Sequence, residues 1–179
     1  PKSTEDRWLQ GDVPGIPRCI GLLDEKHLVL EHVPGKSYRQ HQPILENKEQ
    51  FFSRLLTTLQ TIHAAGVAHG DLKRKDNLIV GPDEQPFVID FGLACLRNES
   101  GKRLNAFFFE WTKQYDYNAW IKHKYDRRVE NIAAEDAGYY RPMKLELIAR
   151  KIRIVWQTAT LRRLRKRRRQ AANERRNPN

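Results

Sequence analysis

The chain has 179 residues, with 33 Lys and Arg against 22 Asp and Glu, a formal net charge of +11 and 39% hydrophobic residues. That suits one ordinary core, and no apolar run approaches the ~20 residues that a membrane-spanning helix needs. Only Cys19 and Cys95 are present, far apart and in no C-x-x-C pair, which speaks against a disulfide scaffold and against a cysteine zinc site.

The first fifteen residues are polar and punctuated by Gly11, Pro14 and Gly15. Pro1 stands in place of a start methionine and nothing at the front resembles a signal peptide, so an N-terminal portion is expected to be missing. Two strand-like runs follow, Ile16 to Leu22 and Lys26 to Glu31, with Leu23-Asp24-Glu25 as the hairpin turn. Val33-Pro34-Gly35 ends the second run, because proline removes a donor and glycine permits a sharp turn.

A helix is predicted from Asn47 to Ala65. Asn47 caps it, with Gln50 in the capping-box position. Phe51, Phe52, Leu55, Leu56, Leu59, Ile62 and His63 recur at helical spacing, and Gly66 stops the helix. His63, on the apolar face, reads as a packed core residue. Next come Leu78-Ile79-Val80 and Phe87-Val88-Ile89, short apolar strands around the turn Gly81-Pro82-Asp83-Glu84. If these pair as a hairpin, Asn77 and Asp90 meet at its open end. An amide oxygen beside a carboxylate suits a hard cation such as Mg²⁺.

Beyond Ala94 the chain reads as irregular and polar until Phe107. Helices are predicted over Trp111 to Lys124 and from Lys144 into the tail, with Trp111 and Trp120 as core or interface aromatics. Residues 1–143 hold 20 basic and 20 acidic side chains, whereas residues 144–179 hold 13 basic ones against Glu146 and Glu174. The whole excess charge therefore lies in the tail, densest over Leu161 to Arg169. Leu145, Leu147, Ile148, Ile152, Ile154, Val155 and Trp156 give that predicted helix a partly apolar side. Residues 144–169 thus suit an anionic membrane surface, with nucleic acid as the competing polyanion, and the end is expected to be disordered.

His69-Gly70-Asp71-Leu72-Lys73 followed by Asn77, then Asp90-Phe91-Gly92, resembles the catalytic and metal loops of the protein-kinase-like superfamily. Upstream, the stretch from Leu28 through Glu31 and Val33 to Gly35 resembles the strand and hinge that hold adenine. The resemblance implies an α+β, protein-kinase-like fold: an N-lobe remnant and hinge over 1–35, a mostly helical C-lobe over 36–143 and a basic tail over 144–179. It implies a cytoplasmic kinase that moves a phosphoryl group from ATP with Mg²⁺ to a hydroxyl of protein Ser/Thr or of a lipopolysaccharide sugar, and the basic tail would make it peripheral on the inner membrane face. Asp71 would orient the acceptor hydroxyl and take its proton, and Lys73 would offset charge on the transferred group. Asn77 and Asp90 would hold Mg²⁺, main-chain groups near Glu31 and Val33 would bind adenine, and His69 would hold the loop's shape. The alternatives are a non-catalytic kinase-like module, or a nucleic-acid- or membrane-binding protein acting through its tail.

The chain also departs from that pattern. The usual loop places its Asn where Asp76 stands here, so Asn77 implies a one-residue insertion and Asp76 stays open as the metal ligand. Gly70 replaces an Arg, no A-P-E follows D-F-G, and no G-x-G-x-x-G or V-A-I-K lysine precedes the hinge. These features resemble atypical bacterial kinases related to RIO and lipopolysaccharide core heptose kinases, or the aminoglycoside phosphotransferases.

Overall fold

The computed structural model describes residues 13–23, 27–97 and 103–142. The helix predicted from Lys144 and the basic tail lie outside those residues. The described residues up to Tyr140 group as one compact unit.

The first two strands, β1 (Cys19–Leu22) and β2 (Leu28–Leu30), pair antiparallel, with Leu22 opposite Leu28 and a register shift between Cys19 and Gly21. Both are shorter than the predicted runs. Pro17 lacks the N–H that pairing requires, and beyond Leu30 the ribbon closes through Arg18 instead. The Glu31 N–H donates to the Arg18 carbonyl at 2.8 Å, and the Glu31 carboxylate accepts from the Arg18 side chain at 2.9 Å.

After Gly35 come β3 (Lys36–Ser37) and the short helix α1 (Tyr38–His41). Helix α2 (Lys48–Ala64) agrees with the predicted span to within a residue at each end. The Asn47 side chain accepts from the Gln50 N–H at 3.1 Å. The carboxylate that receives the Asn47 N–H is supplied by Glu84, at 2.8 Å, and Glu84 also takes the Glu46 N–H at 2.7 Å. A residue of the distant hairpin turn thus completes the cap that local sequence assigned to Gln50. Gly66, at φ +83°, ends the helix in the left-handed conformation that glycine adopts without a Cβ clash.

Strand β4 (Val67–Ala68) pairs with β7 (Cys95–Leu96), which ties the segments on either side of the hairpin together. The hairpin is β5 (Leu78–Val80) and β6 (Pro86–Val88), with β3 on the other side of β5. Leu78 faces Val88 and Val80 faces Pro86, so the second strand starts one residue earlier than the apolar run suggests.

Helix α3 (Arg103–Lys124) starts well before the predicted Trp111. Its buried face meets that of α2 around Phe51, Phe52, Leu55, Leu59, Trp120 and Ile121. Trp120 is a core residue whose Nε1–H donates to the Phe52 carbonyl at 2.8 Å, so its polar end is satisfied inside the core. At the far end, buried Lys124 pairs with Asp136 at 2.7 Å and with Glu49 of the first turn of α2. The two helices are thereby locked end to end, and the loop 69–77 is held between α3 and the hairpin.

Candidate active site

The loop between β4 and β5 is shaped by hydrogen bonds from α3. Asp116, buried on that helix, accepts from the His69 N–H through Oδ2 at 2.7 Å and from the Gly70 N–H through Oδ1 at 2.9 Å. His63 of α2 reaches the same carboxylate, Nε2 to Oδ2 at 3.0 Å. About two turns further along α3, His123 Nε2 lies 2.9 Å from the Leu72 carbonyl. Burial pushes the His123 imidazole down to about 4, with the Leu72 bond opposing and the Lys75 and Arg127 charges adding to the depression. A neutral ring donating from Nε2 is therefore its state near neutrality.

Inside the loop, His69 links three parts. Its Nε2 meets the Ile89 carbonyl at 2.9 Å, its Nδ1 accepts the Asp71 N–H at 3.1 Å, and its ring lies edge-on to Phe91 at 4.8 Å between centroids. Donor and acceptor demands fix the Nε2–H form. The D-F-G segment is thus seated on the H-G-D loop through this one imidazole. Gly70 sits at φ +79°, and a Cβ there would lie 2.6 Å from the Leu93 carbonyl oxygen. That position admits glycine where the resemblance leads one to look for arginine.

The sequence-predicted residues fall into two groups. Asp71 and Asn77 are joined directly: Asn77 Nδ2 donates to the Asp71 carbonyl at 3.1 Å and to its Oδ2 at 3.2 Å. Arg74 lies 3.6 Å from the same carboxylate oxygen. Asn77 is buried, and its carbonyl accepts the Ile89 N–H at 3.0 Å, which extends the hairpin by one pair. Asp90 is the next residue; it is exposed, at φ +65°, with Oδ1 accepting from the Gly92 N–H at 3.3 Å. Lys73 is exposed in the same loop. Asp76 is engaged elsewhere, by Arg39 of α1 at 2.8 Å, and that guanidinium holds its carboxyl below the usual range. Glu31 and Val33 lie on the connection from β2 to β3, and the Arg18 side chain likewise lowers the Glu31 carboxyl.

An amide oxygen and carboxylate oxygens are the donor types that a hard divalent ion takes. Because Asn77 Nδ2 is spent on Asp71, its Oδ1 is the atom left to offer, alongside carboxylate oxygens of Asp90. Asp116, His123 and the His63 contact escaped the sequence reading. Each acts across 46 to 53 residues on main-chain or carboxylate atoms. The one local signal was an acidic residue between two tyrosines on an amphipathic helix.

Comparison with known proteins gives a consistent picture. The sequence pattern described as the protein kinase domain matches residues 15–131, well over half of the chain. A serine/threonine-protein kinase D of Synechocystis sp. is 39% identical over 81 residues, covering 45% of this chain and 16% of that protein. Serine/threonine-protein kinase 1 of African swine fever virus is 30% identical over 105 residues, 54% of this chain and 35% of the viral protein. The human hormonally up-regulated neu tumor-associated kinase is 30% identical over 89 residues, 45% of this chain and 12% of its own length. The chain thus spans between 12% and 35% of these relatives.

Proposed function

The chain belongs to the protein kinase domain family, and from that premise we propose that it is an ATP- and Mg²⁺-dependent phosphotransferase acting on a hydroxyl. The observation that carries the reading is the bonded pair of Asp71 and Asn77, continued through the Ile89 N–H to the D-F-G segment. A phosphoryl group in transfer carries diffuse negative charge, so catalysis is mainly positioning and charge neutralisation.

Asp71 orients the acceptor hydroxyl and receives its proton. Its carboxylate is half-buried and aimed by Asn77 Nδ2, which suits a base that must hold one orientation. Lys73 offsets charge on the transferred group. Asn77 Oδ1 and Asp90 would hold Mg²⁺, which would supply charge neutralisation at the phosphates of ATP. Main-chain groups of Glu31 and Val33 take the adenine edge.

The names of the relatives support a protein serine or threonine as acceptor, and the H-G-D loop with no A-P-E supports a lipopolysaccharide sugar. Use of ATP and two free cysteines support action in the cytoplasm. Residues 144–169, by their charge, would hold the chain to the inner membrane face or, less favoured, to nucleic acid.

The test compares ATP turnover of the intact natural protein with that of Asp71→Asn and Asp90→Asn, offering protein and lipopolysaccharide acceptors in turn. Each substitution is expected to lower turnover at least about a hundredfold. Equal rates would remove the mechanism. Neither turnover nor Mg²⁺-dependent nucleotide binding in the wild type would assign the non-catalytic module instead.

A further inference from the structure

Helix α3 grips the loop on both sides of Asp71. Before it, the Asp116 carboxylate accepts the His69 N–H at 2.7 Å and the Gly70 N–H at 2.9 Å. After it, His123 Nε2 donates to the Leu72 carbonyl at 2.9 Å. About two turns separate the two side chains along α3, so they share one side of the helix. One anchor accepts and the other donates, which matches the main-chain groups that each one meets.

Leu72 and Lys73 are the central residues of a turn that the Arg74 N–H closes on the Asp71 carbonyl at 3.2 Å. The Leu72 carbonyl belongs to the central peptide of that turn, which the closing bond does not hold. Rotation of the central peptide is what separates one turn type from another, and it re-aims the residue that follows. The imidazole that takes this carbonyl is itself fixed: His123 is buried and lies edge-on to the buried Tyr38 ring, at 5.7 Å between centroids. Lys73 is exposed, so its direction is set by the main chain and not by packing. We propose that His123 is a positioning residue for phosphotransfer: by fixing the peptide between Leu72 and Lys73, it sets where the Lys73 ammonium stands relative to the Asp71 carboxylate. Being buried, the imidazole acts through the main chain and does not touch substrate. The inference rests on the phosphotransfer reading, in which Lys73 offsets charge on the transferred group.

The test measures kcat and the KM for ATP of the intact natural protein, with whichever of the protein and lipopolysaccharide acceptors the wild type uses. The variants are His123→Leu, His123→Gln, Lys73→Met and the double substitution His123→Leu/Lys73→Met. His123→Leu removes the donor and is expected to lower kcat at least about tenfold, with the KM for ATP within about twofold of wild type. His123→Gln, whose amide N–H reaches the same carbonyl, should return kcat to within about threefold of wild type. Because His123 works through Lys73, the double variant should be no slower than Lys73→Met, a non-additivity that a general loss of stability does not produce. Losses that multiply in the double variant would overturn the proposal, as would an equal loss in His123→Gln or a wild-type rate in His123→Leu. Should His123→Leu fail to fold, His123→Met gives the same comparison with a side chain that fits irregular space. Absence of turnover in the wild type would overturn the phosphotransfer reading and this proposal with it, whereas wild-type turnover with multiplying losses overturns the proposal alone.

Discussion

Asp116 shows how much one buried carboxylate can organise. Its two oxygens receive two main-chain N–H groups and an imidazole, all inside the protein. Removing it leaves those donors buried without acceptors, at about 1–3 kcal/mol each. Asp116→Ala is therefore expected to lose about 3 kcal/mol or more, read as a lower urea midpoint at unchanged slope, and to lower turnover by freeing the loop that carries Asp71. Asp116→Asn keeps one acceptor and should fall between. Nothing in the sequence singled this residue out, because its partners are main-chain atoms 46 and 47 positions away. The approach of Asn77 to the segment that carries Asp90 was legible for the opposite reason: it is set by the short hairpin between them. His123 gives a pH prediction. Its folded pKa is depressed to about 4 from 6.5, so below about pH 6.5 the unfolded chain binds the proton and the folded chain does not. Stability is full above that pH and falls as pH drops toward about 4, by about 3 kcal/mol in all. Urea midpoints of wild type and His123→Gln, measured across that window, should show a fall that the variant lacks. Parallel falls would show that other groups carry the acid sensitivity.

At the scale of elements, α2 was legible almost to the residue, since periodicity, cap and stop are all local signals. Its N-terminal cap was legible only in half. Asn47 supplies the expected acceptor, but the carboxylate that completes the cap comes from Glu84, in a turn where both Asp83 and Glu84 take φ +52°. Glu84 thereby fastens the hairpin turn to the start of α2, and the two neighbouring N–H groups lower its carboxyl further below the usual range. Glu84→Gln keeps an acceptor without the charge, and Glu84→Ala removes both. The expected losses are about 0.5 and about 2 kcal/mol respectively, by chemical denaturation. Similar losses in both would mean that the side chain acts by packing and not by capping. The early start of α3 was not legible, and the cause is instructive. Leu104, Phe107, Phe108 and Trp111 do have helical spacing, yet the stripe faces solvent, so it is out of phase with the core-facing stripe that begins at Phe109. Two superposed periods read as no period.

The whole molecule divides by charge more sharply than by secondary structure. Residues 1–143 are neutral in sum, and the last 36 residues carry the entire +11. The stretch from Leu161 to Arg169 alone has seven basic side chains. If these neutralise phosphates, the logarithm of affinity for double-stranded DNA should fall with the logarithm of salt at a slope of about −6, from a contribution of about −0.9 per phosphate. A chain ending at residue 143 should show almost no slope and little retention on any polyanion. The apolar residues of the same tail, from Leu145 to Trp156, are governed by different physics. Apolar transfer is nearly indifferent to salt, so a membrane contact through them would persist where the charge attraction is screened. Salt titration of the full chain on DNA and on anionic vesicles in parallel therefore separates the two. Steep loss on DNA with a salt-resistant plateau on vesicles is the expected pair of results. Equally steep loss on both would mean that charge alone governs what this protein adheres to.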